Sequence, residues 1–172
     1  MNWFMLTLVG EDQPAIVAKL TTTLFEGGCN LGEAAMARLG GNFSIMLMVQ
    51  HSGSVESLET LIAPVAQALG LHLHADRIEG HLHRHLIPDV RVTVYGADRA
   101  GIVAQVTSAL SSVGFNILDL QSDVGGSDAK PVYIMTLEGQ AHDGIEAVEA
   151  ALGDIAREGI AVDVQSIETL IG

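Results

Sequence analysis

The chain has 172 residues, enough for one medium-sized domain or two small ones. Because 48% of the residues are apolar and only 17% are charged, the composition excludes an intrinsically disordered chain. The formal charge of −13 disfavours direct binding to nucleic acid and docking on anionic membranes, since both carry negative phosphates.

The cysteine content and the first residues indicate the compartment. The single cysteine, Cys29, excludes an intramolecular disulfide, so nothing demands an oxidising environment. Residues 1–10 contain no basic region and no cleavage site, so we expect no signal peptide. No stretch approaches the roughly 18 consecutive apolar residues that favour a membrane span. We therefore expect a soluble cytoplasmic protein.

The first half of the chain alternates between strand and helix patterns. An apolar run at 4–9 predicts a buried strand, and Asp12 and Pro14 mark the start of a helix that Gly27 and Gly28 end. Two further strands, at 30–39 and 43–50, flank a Gly-Gly-Asn turn. A helix at 54–69 and a strand at 71–78 complete the order β-α-β-β-α-β.

The second half repeats the first at an offset of 86 residues. Between 9–31 and 95–117, nine of 23 positions are identical. The same patterns predict strands at 90–95, 115–124, 132–137 and 160–167, and helices at 101–113 and 145–157. The sequence therefore predicts an α+β protein made of two ferredoxin-like βαββαβ units, each a four-stranded antiparallel sheet with two helices on one face. We place the first domain at residues 1–86, with a His-rich link at about 80–87, and the second at residues 87–172.

The loop between the first strand and the first helix of each half is the candidate binding site, with the shared pattern Gly-x-Asp-x-x-(Gly/Ala)-Ile-Val. Gly101 allows a tight turn, and the unpaired N–H groups of the following helix suit an anion such as an amino-acid carboxylate. Asp98 can accept hydrogen bonds from a ligand ammonium, and we expect Asn116 beside the same loop. The alternative interpretation is that Asp12 and Asp98 cap their helices, and that Asn30 and Asn116 shape turns.

The repeated motif, Gly-x-Asp-x-x-Gly-Ile-Val-Ala-x-Val-Thr followed by Gly-x-Asn-Ile, resembles the signature of ACT domains, which are regulatory modules that bind amino acids. The resemblance covers essentially the whole chain, as two modules without a catalytic domain. The tandem arrangement and the segment at 98–107 resemble the glycine cleavage system transcriptional repressor group. This resemblance implies a non-catalytic regulator that needs no cofactor, binds a small amino acid such as glycine, and acts through a DNA-binding partner protein.

The resemblance also implies a set of ligand-binding positions. In the second half these are Asp98, Ala100, Gly101, Ile102, Asn116 and Ile117, and in the first half Asp12, Ala15, Ile16, Asn30 and Leu31. Ala100 replaces a frequent proline, and Ala15 stands where glycine is usual. Because the methyl group of Ala15 narrows the first loop, we expect either that the second loop is the competent one or that the first loop binds something smaller. ACT ligands commonly lie between modules, so the pairing of modules should shape the site.

A homodimer is also expected. The mean hydropathy is +0.36, and two small sheets of this composition have more apolar surface than they can bury alone.

Two other readings remain open from the sequence. His81, His83 and His85 alternate in the link, and imidazoles at that spacing can share zinc, nickel or copper, but a solvated link is the favoured interpretation because no nearby cysteine completes a site. A ligand-independent interaction module is the second reading. Catalysis finds no support, because Cys29 fits a small core residue and no phosphate loop, dinucleotide fingerprint or hydrolase elbow is present.

Overall fold

The computed structural model describes residues 1–79, 86–97, 100–127, 130–157 and 159–167. The chain separates into two compact units, residues 1–83 and 84–172. The predicted domain boundary at residue 86 stays a prediction, because link residues 80–85 lie outside the described part.

The first unit has the predicted element order. Its elements are β1 (Asn2–Glu11), α1 (Ile16–Glu26), β2 (Asn30–Leu39), β3 (Asn42–His51), α2 (Val55–Ala68) and β4 (His72–Ile78). The four strands form one antiparallel sheet in the order β2-β3-β1-β4. This order confirms the predicted ferredoxin-like plan.

The second unit repeats this architecture. Its elements are β5 (Val90–Ala97), α3 (Ile102–Ser112), β6 (Phe115–Ser127), β7 (Lys130–Ala141), α4 (Ile145–Arg157) and β8 (Ala161–Ser166). The strand order is β6-β7-β5-β8. The hairpin of β6 and β7 is longer than predicted, because the ladder continues through Gly125 and Gly126 to the pair Ser127 and Lys130. Glycine is usually a breaker inside a strand, which is why the sequence pattern ended this strand early.

Each unit has its own core between its sheet and its helices. In β1, Phe4, Leu6 and Leu8 are buried at alternating positions, so these side chains face the helices. They pack with Leu20 and Leu24 from α1, which recur at helical spacing. The second core uses the corresponding positions Val90, Val92, Val94, Val106 and Leu110. This packing anchors each first helix so that its N-terminus lies where the first strand ends.

The strand register defines two ends of the first sheet. At the loop end, Glu11 of β1 pairs with Asn42 of β3, and the loop to α1 follows. At the far end, Asn2 of β1 pairs with His51 of β3. Among the described helices, none is long and apolar enough to cross a membrane.

A bulge interrupts the edge strand at the same place in both units. In the first unit the ladder passes from Leu31 to Ala34, and in the second from Ile117 to Asp119. Opposite the second bulge lies Gly139, where a Cβ atom would overlap the backbone oxygen of Asn116 and the ring of Phe115. Strands β6 and β7 approach so closely there that only glycine fits.

Candidate functional site

The first candidate loop ends in a left-handed residue. Ala15 precedes α1 with φ of 68°, and no side-chain hydrogen bond from this residue caps the helix. Among the described residues Ala15 is the non-glycine residue with positive φ. The first N–H groups of α1 therefore lack the capping partner that a Ser, Thr or Asp at this position would provide.

The same loop is held by three polar contacts. The Asp12 carboxylate forms a salt bridge with Arg38, in which Nη2 lies 2.5 Å from Oδ2. The backbone N–H of Asp12 donates to the Gly41 carbonyl at 3.0 Å. The Gln13 side-chain amide donates to the Leu69 carbonyl at 2.7 Å. The interpretation of Asp12 as the cap of α1 is therefore wrong, because Ala15 takes that position and Arg38 engages the carboxylate. An Asp12 already paired with a cation is poorly suited to bind a ligand ammonium.

The second loop has the same conformation with a glycine. Gly101 precedes α3 with φ of 88° and offers no side-chain cap. A Cβ atom built on Gly101 would meet no atom of the described residues within 4 Å. Ala100 is exposed beside it, whereas Asp98 lies outside the described residues.

The two isoleucines of the motif lie inside the cores. Ile16 and Ile102 are each 2% exposed, so they anchor the helix starts beneath the loops. The Leu31 side chain is partly exposed to solvent, and Ile117 packs against the second core. The structure therefore separates anchoring positions of the motif from positions that face solvent.

The two asparagines do not lie beside the loops of their own units. Asn30 pairs with Gln50, which pairs with Trp3 near the start of β1, so Asn30 lies at the far end of the sheet. It is separated from the loop end by eight strand positions, or roughly 25 Å. Asn116 occupies the same place in the second sheet, opposite Gln140. The expectation that Asn116 lies beside its own loop is wrong, because both β1 and β2 run antiparallel to β3 and therefore start at the same end.

A polar cluster at the far end was not predicted. His51 Nδ1 lies 3.5 Å from Cys29 Sγ, and His51 Nε2 lies 2.9 Å from Ser57 Oγ. Because the Ser57 hydroxyl donates to the Ser54 carbonyl, it accepts from Nε2–H, which leaves Nδ1 to accept from the thiol. Burial raises the pKa of the Cys29 thiol, so the thiol stays protonated. The cluster connects the start of β2 to the end of β3 and to α2. The sequence analysis missed it because Cys29, His51 and Ser57 are too far apart in sequence to form a recognisable motif.

The described histidines do not form a metal site. His74 Nε2 lies 2.8 Å from Asp76 Oδ2 on the exposed face of β4. Within the described ranges, no group of three or more His, Cys, Asp or Glu side chains is arranged to hold a metal ion. His81, His83 and His85 lie outside the described residues, so the metal hypothesis for the link stays a hypothesis.

Comparison with known proteins identifies both units. One ACT domain family model matches residues 2–76, and another matches residues 90–157. The glycine cleavage system transcriptional repressor of Escherichia coli is 25% identical over 122 residues, or 70% of this chain. The chain spans 64% of the length of that relative. The UPF0237 protein YjhC of Lactococcus lactis is 31% identical over 71 residues, which cover 41% of this chain and 82% of that protein.

Solved structures share the fold of the whole chain. A protein of unknown function from Galdieria sulphuraria has a TM-score of 0.77 at 23% identity, covering 97% of this chain and 99% of its own. A structure provisionally named a glycine cleavage system transcriptional repressor has a TM-score of 0.71 at 17% identity, covering 98% of both chains. At these identities the likeness shows the fold alone.

Proposed function

We propose a regulatory, non-catalytic function for this protein. The proposal starts from the family, because the chain belongs to the ACT domain family, with one module in each half. The similarity to the glycine cleavage system transcriptional repressor of Escherichia coli supports a regulatory role. In this proposal a small amino acid such as glycine binds at an ACT loop. Binding changes the affinity of the chain for a protein partner, such as a DNA-binding regulator of amino-acid metabolism.

The helix start at Gly101, where the residue at the N-cap position has no side chain to cap the helix, is the observation that carries the proposal. The first N–H groups of α3 have no partner within the helix, and the helix start has a partial positive charge; both features suit a carboxylate. Gly101 has no side chain, and no atom in the described part of the chain lies within 4 Å of the position that a Cβ atom would take. At Ala15 a methyl group occupies that space, so we assign the ligand preferentially to the second loop.

An amino-acid ligand also has an ammonium group, which needs oxygen acceptors. The side-chain carbonyl of an asparagine is suitable, but Asn116 lies at the far end of its own sheet. An antiparallel pairing of edge strands from two modules reverses the ends, and so brings the asparagine of one module towards the loop of the other. We therefore propose that association between modules of two copies completes the site.

The charge of the chain determines how such a regulator acts. With 21 acidic and eight basic residues, the surface repels the phosphate backbone of DNA. Control of transcription therefore has to pass through a protein partner. The ligand shifts that interaction only as far as it prefers one arrangement of the modules, and typical couplings of about 1–3 kcal/mol change an affinity by roughly 5–150-fold.

Amino-acid binding is the first experiment. The twenty amino acids are screened by thermal shift, and hits are titrated by calorimetry against wild type, Asn116→Ala and Gln165→Ala. Gln165 also bears an exposed amide, but it lies on β8, at the opposite edge of the sheet from β6, and it bonds only to Asp163 among the contacts seen. We expect Asn116→Ala to weaken binding by about tenfold or more, equivalent to ~1.4 kcal/mol, while Gln165→Ala binds like wild type. A screen without any hit, or equal affinity for Asn116→Ala and wild type, would contradict the proposal.

A ligand-independent interaction module is a second candidate, and the exposed edge strand β2 favours it. The two functions differ in one measurement. Partner binding is followed by biolayer interferometry with and without the amino acid; a regulator changes affinity on addition, whereas a purely structural module does not.

A further inference from the structure

A groove runs between helix α4 and strand β8 of the second module, with a volume of about 270 Å³. Its helix wall consists of Glu149, Leu152, Gly153 and Ala156, which lie on one side of α4 at spacings of three and four residues. No atom of the described residues lies within 4 Å of the position that a Cβ atom on Gly153 would take. The small residues of the helix therefore leave the space that separates α4 from β8.

The other wall of the groove is the outer edge of the sheet. Val162, Asp163 and Val164 line it, although successive side chains of a strand point to opposite faces. Val162 and Val164 pack against the second core, so the side chain of Asp163 points to the other face and its backbone lines the groove. In the described part of the chain, β8 pairs with β5 alone. The groove therefore opens along the backbone of an edge strand.

The hydrogen-bond pattern of β8 indicates which backbone groups point outwards. The Ile167 N–H donates to the Asp89 carbonyl at 2.7 Å, as in a hydrogen-bonded pair at the end of the β5–β8 ladder. Hydrogen-bonded and non-hydrogen-bonded pairs alternate along an antiparallel ladder, so Val162 and Val164 belong to the non-hydrogen-bonded pairs. Their backbone N–H and C=O groups therefore point away from β5, towards the outer edge.

The charge around the groove is negative. The basic residue of these two elements, Arg157, forms a salt bridge with Asp154 at 2.5 Å. Asp163 accepts a hydrogen bond from the neutral amide of Gln165 at 2.7 Å, so its charge is not neutralised there. The acidic residues of α4 and β8 are Glu146, Glu149, Asp154 and Asp163. An occupant with positive charge is favoured, and an acidic peptide or a nucleic acid is repelled.

We infer that an extended basic segment of a partner protein binds this groove as an additional antiparallel strand on β8. The backbone of the segment pairs with the outward N–H and C=O groups of Val162 and Val164. Apolar residues of the segment enter the groove beside Gly153, and the lysines or arginines between them lie on the face of Asp163, where opposite charges on neighbouring strands attract. The inference rests on the proposed function, which requires a protein partner, and it states where that partner binds.

The size of the groove also favours a segment over a free ligand. Sites for small molecules have volumes of roughly 300–1,000 Å³ and bury most of the ligand. A groove of about 270 Å³ that is open along a strand edge instead fits the side chains of a chain lying across it. The affinity then comes from backbone pairing, and the groove selects the residues that alternate along the segment.

The first module differs at the equivalent positions. Ala63 stands where the second module has Gly153, and Leu73 stands where it has Val162. Leu73 packs against the first core. Arg77 of β4 is basic where β8 has an uncharged serine, so this edge attracts a basic segment less. We therefore assign the partner to the second module.

Fluorescence anisotropy of the full chain with a labelled peptide, Lys-Val-Lys-Val-Lys-Val, tests the inference in the absence of any amino acid. Gly153→Leu fills the groove, and it retains the helix because leucine is a better helix former than glycine. Ala150→Leu is the matched control, because Ala150 is exposed on the same helix and does not line the groove. We expect Gly153→Leu to weaken binding about tenfold or more with an unchanged circular dichroism spectrum, while Ala150→Leu binds like wild type.

A second pair of variants tests the charge. Glu149→Lys reverses a charge on the groove wall, and Glu59→Lys makes the same change at the equivalent position of α2 in the first module. Both variants have the same net charge, so a general electrostatic effect is equal in the two. We expect Glu149→Lys alone to weaken binding of the basic peptide, and we expect the peptide Glu-Val-Glu-Val-Glu-Val not to bind wild type.

Methylation of the peptide nitrogens tests strand addition itself. In the inferred pairing the valines lie opposite Val162 and Val164, so their N–H groups donate to β8, whereas the lysine N–H groups point to solvent. We expect N-methylation of the valines to abolish binding and N-methylation of the lysines to weaken it far less. The reverse order would overturn the inference.

Three further results would overturn it: no binding of the basic peptide to wild type, equal binding by Gly153→Leu and wild type, or equal effects of Glu149→Lys and Glu59→Lys. The two proposals fail separately, because the peptide experiment contains no amino acid. Peptide binding without any hit in the amino-acid screen contradicts the proposed function alone. An amino-acid hit without peptide binding contradicts the groove alone.

Discussion

At the scale of single residues, Ala15 shows how the two loops have diverged. It holds a left-handed conformation with φ of 68°, which Gly101 holds in the second module at 88°. For a residue with a Cβ atom this conformation costs roughly 1–2 kcal/mol, whereas glycine adopts it freely. Glycine in turn loses more entropy on folding, by about 0.4–1 kcal/mol. The strain in the first loop should therefore exceed the entropic advantage of alanine.

Exchanging the two residues tests this balance. We expect Ala15→Gly to raise the free energy of unfolding by about 0.5–1 kcal/mol, and Gly101→Ala to lower it by about 1 kcal/mol. Urea denaturation of the full chain, followed separately by hydrogen exchange in each unit, measures both. Changes of the same sign in the two variants would show that loop strain does not decide the outcome.

Residue chemistry located the loops but not the contacts within them. The repeat of Gly, Asp and Ile-Val predicts the positions of both helix starts. The pairing of Asp12 with Arg38 did not follow from the sequence, because the two residues are 26 positions apart and meet only when β2 has paired with β3. Cys29, His51 and Ser57 meet for the same reason, through three separate elements.

At the scale of elements, strand direction decides where the motif residues lie. The order β-α-β-β-α-β was predictable, since apolar periodicity changes cleanly between strands and helices. The placement of Asn30 and Asn116 depends in addition on strand direction. Because β1 and β2 both run antiparallel to β3, they begin at the same end of the sheet. Local patterns describe each element well, but the separation of two motif residues depends on the pairing between elements.

The second bulge gives a prediction at this scale. Gly139→Ala introduces a methyl group against the backbone oxygen of Asn116, which cannot move without breaking the β6–β7 ladder. We expect a loss of about 1–3 kcal/mol of stability, as in other overpacked sites. Gly125→Ala is the matched control on β6, because no atom of the described residues lies within 4 Å of its added methyl group, and we expect a change within about 0.5 kcal/mol. Thermal denaturation compares the two, and equal stabilities would refute the close approach.

At the scale of the whole molecule, the charge of −13 limits the available modes of regulation. A duplex attracts proteins mainly through its phosphates, so an acidic chain gains nothing from the electrostatic term that dominates non-specific binding. We expect no binding to duplex DNA in fluorescence anisotropy, even at low salt, where such binding is strongest. An affinity that rises as salt is diluted would point instead to a basic patch on the chain and would remove the reason for a protein partner.

The distance between each asparagine and its own loop has a consequence for sensing. If the proposed site is assembled from two copies, binding depends on two concentrations, that of the amino acid and that of the protein itself. Diluting the protein would release ligand even at constant amino-acid concentration. The amount of the protein in the cell would then set the threshold at which it responds, so that its own expression level becomes part of the signal.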